Sequence, residues 1–521
     1  MSARGIHIAL VVLALLWFGT LGVRPLYKAD ESRYAELSRE MAVSGDWVTP
    51  RLNDFKYFEK PPLQYWATTI FFRIFDVNDA MARLWAALTG FAGIVLVLLA
   101  GNRLFGAPAG FLAAAVLAGS PLYVLLSQYN TLDMGVSFFL GAAMAALAGG
   151  YALAFWAACA LAVLSKGLIG IVLPGATVFL YMILRRDWNL LKRLKIVKGG
   201  LLFLVITAPW FIAVSIANPE FAHFFFIQEH FQRFTSEMHH REGAWWYFLP
   251  ILAAGLLPWL LPAMGAWWRG LRERKEGFNP ELLLALWALV VLLFFSASHS
   301  KLPSYILPMF PALALLTGKY LAAARNRLLA LQAVLVALGG LGAALIVPHF
   351  AGAAYRTFVP WLVVAAACLG ASGCIGYLFA RRGKVATAAA ALALGGLAAT
   401  LLGGIGHGTL APRFSAAGLI ASIEQKPPAS APVFAVDIYD HTLPWYLRRS
   451  VTMVGYRDEL GQAVDWEPGK FIADRDAFAR AWKAAPVAYA FVAEGEFAKL
   501  RATLPMRAIA RDSRYVFVGK P

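Results

Sequence analysis

Apolar runs long enough to cross a lipid bilayer recur along most of this chain, and they restrict its fold more than any other feature. A helix needs about 20 apolar residues to span the hydrocarbon core, and only helices and closed barrels satisfy their backbone hydrogen bonds there. The chain is therefore predicted to be mostly α, a polytopic transmembrane helical bundle of about thirteen spans. The predicted spans lie at about 5–23, 84–101, 108–126, 134–149, 150–164, 167–184, 198–216, 246–264, 281–298, 304–320, 327–348, 359–380 and 385–404.

Composition agrees with a membrane protein. Of the 521 residues, 60% are hydrophobic and 15% are charged, which is less charge than a soluble protein of this length carries. The net charge of +17 sits largely in short loops, where retention on the cytoplasmic side explains it better than nucleic-acid binding. Cys159, Cys368 and Cys374 all lie in apolar runs without metal-ligand spacing, which argues against a disulfide framework. No small-x-small cleavage site follows the first run, so we expect an uncleaved anchor.

Basic residues predict which side of the membrane each loop faces. By the positive-inside rule, the short basic loops are cytoplasmic, which places the loops 24–83 and 217–245 and the tail outside. One observation argues against this topology, because the loop 24–83 is itself rich in Lys and Arg. We base the predicted topology on the short basic loops, since they are more numerous. The basic residues of these short loops are Arg185, Arg186, Lys192, Arg193, Lys195, Lys198, Arg269, Arg272, Arg274, Lys275, Lys319, Arg325, Arg327, Arg381, Arg382 and Lys384.

The composition changes near Ala411. Strand-like segments at 433–438 (VFAVDI) and 515–518 (YVFV), with helix-like segments between them, indicate a small soluble α/β domain. We therefore predict a transmembrane domain over residues 1–410 and a soluble domain over 411–521.

The segment from Asp30 to Pro62 concentrates ionisable residues beside an apolar span. It is predicted to begin with an amphipathic helix over Asp30–Met41, and a second amphipathic, interfacial segment is predicted over Leu63–Phe75. Asp30 has two interpretations: a carboxylate that binds sugar or deprotonates an acceptor, or the N-cap of its helix. Its sequence position favours neither.

Cations in the same loop suit a lipid phosphate. Lys60 and Arg33 can compensate phosphate charge in a poorly hydrated place, although an interfacial cation that reaches toward water is the simpler alternative. The rigid EKPP setting of Lys60 favours a functional role. Tyr57 can stack, donate a hydrogen bond, or anchor the loop at the interface.

Charged residues also occur at the ends of later spans. Asp133 and Lys166 carry opposite charges at separate span ends on the same predicted side, which is a stronger signal than either alone. Asp133 can equally cap a helix beginning at Met134. Lys301 and Tyr305, in the turn HSKLPSYILP, can contact phosphate or lipid.

A metal site is a further hypothesis. The loop 217–245 contains Glu229, His230, Arg233, His239 and His240 but no HExxH motif. Glu59 and His240 together suit a divalent ion. A surface histidine without a ligand role is the commoner case.

Taken together, these motifs resemble the bacterial aminoarabinose transferases that modify lipid A, within the membrane glycosyltransferase (GT-C) superfamily that includes protein O-mannosyltransferases. The resemblance runs from Asp30 to about Tyr305 and is specific only as an ensemble. It is carried by DESRYAE, EKPP, the aspartate of LDM, LSKG, the loop from Glu229 to WWYF, and KLPSY.

The resemblance implies transfer of 4-amino-4-deoxy-L-arabinose from undecaprenyl phosphate to lipid A on the periplasmic face of the inner membrane, and hence polymyxin resistance. It implies no nucleotide cofactor and a metal, zinc, that is more structural than catalytic. By position it implies an essential acidic pair (Asp30, Asp133), a phosphate-holding group (Lys60 with Arg33, Tyr34 and Tyr57) and a metal pair (Glu59, His240). Further candidate substrate-binding residues are Lys166, Arg233, Lys301 and Tyr305.

Two other functions stay open. An O-mannosyltransferase-like enzyme would glycosylate a protein or another envelope acceptor. A transporter or flippase of lipid-linked sugars would place its polar residues near mid-membrane and often shows inverted repeats. Here the polar residues gather on one predicted surface, which favours a transferase.

Overall fold

The computed structural model describes residues 3–232, 243–323 and 326–521. The chain divides into two compact units that interleave along the sequence. The first, called here the membrane unit, comprises Met1–Leu21, Glu59–Gln64 and Arg83–Gly406. The second, called the mixed unit, comprises Gly22–Phe58, Tyr65–Ala82 and His407–Pro521. Each is described separately.

Helices make up the membrane unit, and nearly all of them are apolar. Two of its helices, Leu63–Phe75 and Asp79–Phe105, are divided between the units, and Val385–His407 ends one residue inside the mixed unit. The remaining helices are Ala3–Gly19, Ala107–Ala118, Pro121–Ser127, Leu132–Ala148, Ala152–Lys166, Ile169–Arg185, Leu190–Arg193, Ile196–Ala217, the π-helical His223–Gln232, Phe248–Gly255, Leu260–Arg272, Pro280–Ala297, the 3₁₀ turn Pro303–Met309, Phe310–Ala322, Asn326–Phe350, the 3₁₀ turn Ala353–Tyr355, Val359–Arg381 and Val385–His407.

Several of these helices can cross a membrane, so the chain is a multi-span membrane protein. Among the described residues, seven helices meet the length and hydropathy of a span, and nine spans result if each of two bent pairs counts as one. Four further apolar helices have only 10–17 residues, which is short for a hydrocarbon core of about 30 Å. The predicted count of thirteen spans is therefore not confirmed.

Proline marks the two bent pairs. Ala107–Ala118 and Pro121–Ser127 meet at 66°, and Phe248–Gly255 and Leu260–Arg272 meet at 114°. Pro121 and Pro258 lie at these breaks, and proline lacks the amide hydrogen that an uninterrupted helix requires. The apolar runs 108–126 and 246–264, each predicted as one continuous span, are therefore broken helices.

The mixed unit contains a six-stranded sheet with the order β5-β4-β3-β6-β8-β7. Its strands are β3 (Val433–Val436), β4 (Thr452–Val454), β5 (Phe471–Ile472), β6 (Tyr489–Ala493), β7 (Arg507–Arg511) and β8 (Tyr515–Gly519). Strand β3 lies between β4 and β6 and is parallel to both, whereas β8 is antiparallel to β6 and β7. This sheet confirms the expected α/β character of the tail.

Helices and a short hairpin complete the mixed unit. A two-stranded hairpin pairs β1 (Arg51–Leu52) with β2 (Phe55–Lys56), and its turn residues Asn53 and Asp54 have positive φ, as hairpin turns of this length require. Phe478, Trp482 and Val516 are among the buried core residues of the sheet. The helices are Asp30–Ser44, Ala411–Phe414, Ala417–Ala421, Thr442–Leu447, Gly461–Trp466, Arg475–Ala484 and Glu494–Thr503, with 3₁₀ turns at Gly408–Leu410, Asp458–Leu460 and Pro468–Lys470.

The residues of the loop 24–83 that belong to the mixed unit pack against the C-terminal segment. The Asn53 side chain exchanges two hydrogen bonds of 2.8 Å with the backbone of Val451. Asp79 accepts hydrogen bonds from Trp445 Nε1 and Tyr446 Oη, both at 2.9 Å. The loop 24–83, which the sequence places with the membrane domain, therefore contributes most of its residues to the compact unit of the tail.

Candidate functional site

The predicted site residues divide between the two units. Asp30, Arg33, Tyr34 and Tyr57 belong to the mixed unit. The membrane unit holds Glu59, Lys60, Asp133, Lys166, Lys301 and Tyr305. Arg233 and His240 lie outside the described residues, so their roles stay predictions.

Asp30 begins the helix Asp30–Ser44 but does not cap it. The N-cap position is Ala29, and no side-chain hydrogen bond caps this helix end. The alternative that Asp30 is a helix cap is therefore wrong. The Asp30 side chain is 42% exposed and accepts a 3.0 Å hydrogen bond from Arg33 Nη1, one helical turn later. Its carboxylate is thus oriented by the protein while remaining accessible to a ligand.

Arg33 is held by two carboxylates. Besides Asp30, it forms an ion pair through Nη2 with Glu459, and Glu459 Oε1 lies 2.6 Å from His441 Nε2. The Arg33 side chain is only 8% exposed. Burial by itself raises the pKa of Glu459, but the hydrogen bond and charge of His441 and the charge of Arg33 outweigh it and hold that pKa below the ordinary value. Arg33 is therefore placed to orient Asp30, and its predicted contact with phosphate stays a prediction.

The two tyrosines of this group are buried. Tyr34 stacks against Tyr65 with ring centroids 6.1 Å apart, and its ring also lies beside the Arg33 guanidinium. The Tyr57 backbone amide donates to Pro50 at 2.9 Å, which closes the hairpin. The Tyr34 ring therefore packs beside Arg33, and a direct substrate contact by either tyrosine stays a prediction.

In the membrane unit, Asp133 and Lys166 form an ion pair. The helix carrying Asp133 begins at Leu132 after the N-cap Thr131, so the expectation that Asp133 caps a helix starting at Met134 is wrong. The Lys166 ammonium also lies 4.9 Å from the centroid of the Tyr305 ring, a distance typical of a cation–π contact. Three separate sequence motifs therefore meet at one place.

Lys60 joins the same end of the membrane unit. Its ammonium lies 3.1 Å from Glu229. Four residues later, Gln64 donates a 2.9 Å hydrogen bond to Asn130, three residues before Asp133. This bond ties the short EKPP segment to the loop that presents Asp133, so Lys60 and Asp133 lie in neighbouring segments.

Lys301 differs from the other cations of the site. Its side chain is buried, and its ammonium donates a 2.6 Å hydrogen bond to the Ser298 carbonyl. Within the ranges that the structure describes, no carboxylate pairs with it. A buried charge without a counter-charge is costly, so an anion bound nearby would be strongly favoured.

A metal site cannot be assembled from the described residues. They contain no group of three His, Cys, Asp or Glu side chains able to hold an ion. Of the predicted pair, Glu59 is described and His240 is not. The zinc hypothesis therefore stays a prediction.

Four residues of this arrangement were missed from the sequence. Gln64 and Asn130 are polar but carry no charge, and they are distinguished only by being buried between apolar segments. His441 and Glu459 lie more than 400 residues after Asp30, in a part of the chain predicted to be a separate domain. Their only sequence signal is that each closely follows an apolar strand, where α/β folds commonly place functional side chains.

Family models match two parts of the chain. The aminoarabinose transferase C-terminal domain matches residues 419–520, and dolichyl-phosphate-mannose-protein mannosyltransferase matches residues 59–212. An undecaprenyl phosphate-alpha-4-amino-4-deoxy-L-arabinose arabinosyl transferase of Aeromonas hydrophila is 37% identical over 57% of this chain and 56% of its own length. A relative of the same name from Pseudomonas fluorescens is 35% identical over 66% of this chain and 64% of its own length. The chain thus matches these curated relatives over less than two thirds of their length.

Solved structures match much more completely. The crystal structure of ArnT from Cupriavidus metallidurans bound to undecaprenyl phosphate is 38% identical, with a TM-score of 0.94, over 99% of this chain and 98% of that one. An oligosaccharyltransferase from Archaeoglobus fulgidus, 12% identical over 96% of this chain and 70% of its own, has a TM-score of 0.54 and shares the fold alone. The near-complete match to ArnT at this identity shows that the chain belongs to the bacterial aminoarabinose transferase family.

Proposed function

We propose that this protein is a glycosyltransferase of the bacterial inner membrane that moves 4-amino-4-deoxy-L-arabinose from undecaprenyl phosphate to a phosphate of lipid A. The observation that carries the proposal is the 38% identity over 99% of the chain to a structure that binds undecaprenyl phosphate. The active site and the C-terminal segment face the periplasm in this proposal, because the basic short loops favour the opposite side for the cytoplasm. Modification of lipid A in this way would reduce its negative charge and so support polymyxin resistance.

The reaction requires charge compensation more than proton transfer. A lipid A phosphate oxygen attacks the anomeric carbon of the sugar, and the bond from that carbon to the donor phosphate oxygen breaks. The departing phosphate changes from a diester to a monoester and gains about one negative charge, while the acceptor phosphate loses about the same. Because these changes balance, the attacking oxygen needs no general base.

Cations of the membrane unit suit the charge on the leaving phosphate. Lys301 is buried and lacks a carboxylate partner among the described residues. Lys60, in the neighbouring EKPP segment, is paired with Glu229 and can exchange that partner for phosphate. Fixed positive groups directed at developing negative charge lower the barrier of a transfer reaction.

The two aspartates suit the sugar. Aminoarabinose carries an ammonium at neutral pH, which a carboxylate can bind and orient. Asp30 is oriented by Arg33 and partly exposed, so it can take this role. Asp133 is paired with Lys166, which holds its carboxylate in place.

A second function is favoured by one observation. Residues 59–212 match a protein mannosyltransferase model, which supports an O-mannosyltransferase-like enzyme acting on a protein or another envelope acceptor. If the acceptor is a hydroxyl, the nucleophile must lose a proton, and Asp30 would serve as the general base. The nature of the acceptor therefore separates the two functions.

The zinc hypothesis belongs to this proposal. Glu59 and His240 are the proposed ligands, and the ion would support the loops that carry them. Metal analysis of the purified protein, compared with Glu59→Ala and His240→Ala variants, tests this. Retention of one zinc per chain in both variants would remove these two residues as ligands.

The transfer is tested with purified protein in detergent. Undecaprenyl-phosphate aminoarabinose is supplied with lipid A or with a peptide, and products are identified by mass spectrometry. We expect aminoarabinosyl lipid A from the parent. We expect transfer to fall roughly a hundredfold or more in Asp30→Asn and in Asp133→Asn at an unchanged melting temperature. A glycosylated peptide would support the second function. If neither acceptor gives a product, the transferase hypothesis is refuted and the flippase hypothesis remains.

A further inference from the structure

A chain of polar contacts links the C-terminal segment to Asp30. Within the mixed unit it runs from His441 to Glu459, from Glu459 to Arg33, and from Arg33 to Asp30. The His441 and Arg33 side chains are almost fully buried and Glu459 is 18% exposed, whereas Asp30 is 42% exposed. Only the last carboxylate of the chain is thus widely open to a ligand.

The sheet explains why residues distant in sequence meet here. Strands β3 and β4 are adjacent and parallel, so the segments following them lie at the same edge. His441 follows β3, and Glu459 lies in the turn Asp458–Leu460 that follows β4. Ligands of α/β proteins usually bind at this edge. Here the edge holds the helix that carries Arg33 and Asp30.

Asp440, the residue before His441, is firmly anchored. The buried Asp440 carboxylate accepts hydrogen bonds from the Thr442 amide at 2.9 Å and from Arg514 Nη1 at 2.7 Å. The His441 ring also lies 4.8 Å from the Tyr439 ring. The acceptor atom of Glu459 is therefore held from a rigid part of the sheet edge.

The Arg33–Asp30 pair is too weak to orient Asp30 unaided. An ion pair one helical turn apart contributes little by itself when one partner is widely exposed, as Asp30 is, because that side chain keeps other rotamers. A second carboxylate on the other Nη of Arg33 removes that freedom. Through Glu459, both terminal nitrogens of Arg33 have a carboxylate partner.

We infer that Glu459, supported by His441, is a positioning residue of the transferase: it holds Arg33, and Arg33 holds the Asp30 carboxylate toward the substrate. This inference rests on the proposed function, because Asp30 must contact substrate for its orientation to matter. If the inference is correct, the C-terminal segment contributes to the reaction without contacting the substrate.

The test compares full-length variants by steady-state kinetics with undecaprenyl-phosphate aminoarabinose and lipid A. We expect Glu459→Ala to lower kcat by roughly tenfold to a hundredfold, with the KM for the donor changed less than about twofold. Glu459→Gln keeps shape and hydrogen-bond acceptor, and we expect an intermediate kcat. If Glu459→Ala does not fold, Glu459→Gln replaces it in the comparison.

Glu467→Ala is the matched control. Glu467 also belongs to the C-terminal segment and pairs with an arginine of the first loop, Arg51, at 3.1 Å. Since this pair does not involve Asp30, we expect kcat to stay at the parent value. Equal losses of kcat in Glu467→Ala and Glu459→Ala would contradict a specific role for Glu459.

A double variant tests the route of the effect. If Glu459 acts through Asp30, then Glu459→Ala should have no further effect on kcat in an Asp30→Asn background. If the two residues act independently, the losses of kcat from the two substitutions should combine in the double variant. Additive losses, or a parent-like kcat in Glu459→Ala and Glu459→Gln, would overturn the inference while the transferase stands. An inactive parent would instead refute the proposed function and the inference with it.

Discussion

At the scale of residues, the cations of the candidate site differ in how their charge is compensated. Lys60 and Lys166 face Glu229 and Asp133. Lys301 is buried against a carbonyl and has no carboxylate partner in the described part of the chain. An added phosphate would displace an existing partner from the first two, whereas at Lys301 it would displace no carboxylate of the described residues. Lys301 is therefore the cation for which an anionic ligand matters most.

We expect Lys301→Met to raise the KM for the lipid-phosphate donor roughly tenfold to a hundredfold, the usual value of a charge-assisted hydrogen bond. The melting temperature should stay the same or rise, because Met fills a similar volume without a buried charge. Steady-state kinetics and thermal unfolding in detergent measure both, with the exposed Lys192→Met as control. An unchanged donor KM in Lys301→Met would show that this ammonium does not contact the donor.

Glu40 provides a prediction about pH. Burial and the neighbouring Glu36 raise the pKa of Glu40 well above its ordinary value. A folded-state pKa raised above the unfolded value of about 4.3 contributes stability below that pH, and the contribution is lost as pH rises through the folded pKa. We therefore expect Glu40→Gln, which imitates the protonated acid, to melt at roughly the parent temperature near pH 4. It should melt a few degrees higher as pH rises toward 9.

Melting curves of both proteins across this pH range provide the measurement, and the exposed Glu424→Gln serves as control. A difference in melting temperature that does not grow with pH would mean that Glu40 is ionised in the folded protein as readily as in the unfolded one.

At the scale of elements, glycines decide how closely two long helices approach. A Cβ on Gly340 of helix Asn326–Phe350 would lie 2.4 Å from the backbone nitrogen of Gly370 in helix Val359–Arg381. A Cβ on the adjacent Gly339 would meet nothing within 4 Å. Membrane helices lack a hydrophobic drive toward one another, so close backbone packing at small residues is a main source of their association.

We expect Gly340→Ala to destabilise the protein by about 1–3 kcal/mol, because the two backbones must separate. Gly339→Ala should be neutral or slightly stabilising, since alanine is the better helix former. Thermal unfolding of both variants in the same detergent measures the difference. Equal melting temperatures for this adjacent pair would show that the helices do not pack at Gly340.

At the scale of the whole molecule, the compact units do not follow the order of the chain. The mixed unit joins Gly22–Phe58 and Tyr65–Ala82 to the last part of the sequence. Asp79 with Trp445 and Tyr446, and Asn53 with Val451, make this association specific. The helix that carries Asp30 therefore depends on the C-terminal segment for its support, and the tail is more than an appended domain.

The proposed orientation predicts that Ser44, an exposed residue at the end of the helix Asp30–Ser44, faces the periplasm. In a protein whose three native cysteines are replaced by alanine, Ser44→Cys should react with a membrane-impermeant thiol reagent in intact spheroplasts. Lys195→Cys, in a basic loop predicted to be cytoplasmic, should react only after lysis. The reverse pattern would invert the topology and remove the periplasmic site from the proposal.

The sequence by itself determined the membrane class, the α/β character of the tail and the residue types of the site, because hydropathy, strand patterns and charge are local properties. Local patterns also predicted the helix Leu63–Phe75 with its observed bounds. Tertiary structure alone decided which charges meet. For Asp30 and Asp133 the sequence left a helix cap and a functional role open, and the structure shows Arg33 and Lys166 beside them. Glu459 had only the weak signal of following an apolar strand. Partners separated by tens to hundreds of residues meet only after the helices and the sheet have packed, so no local pattern records the pairing.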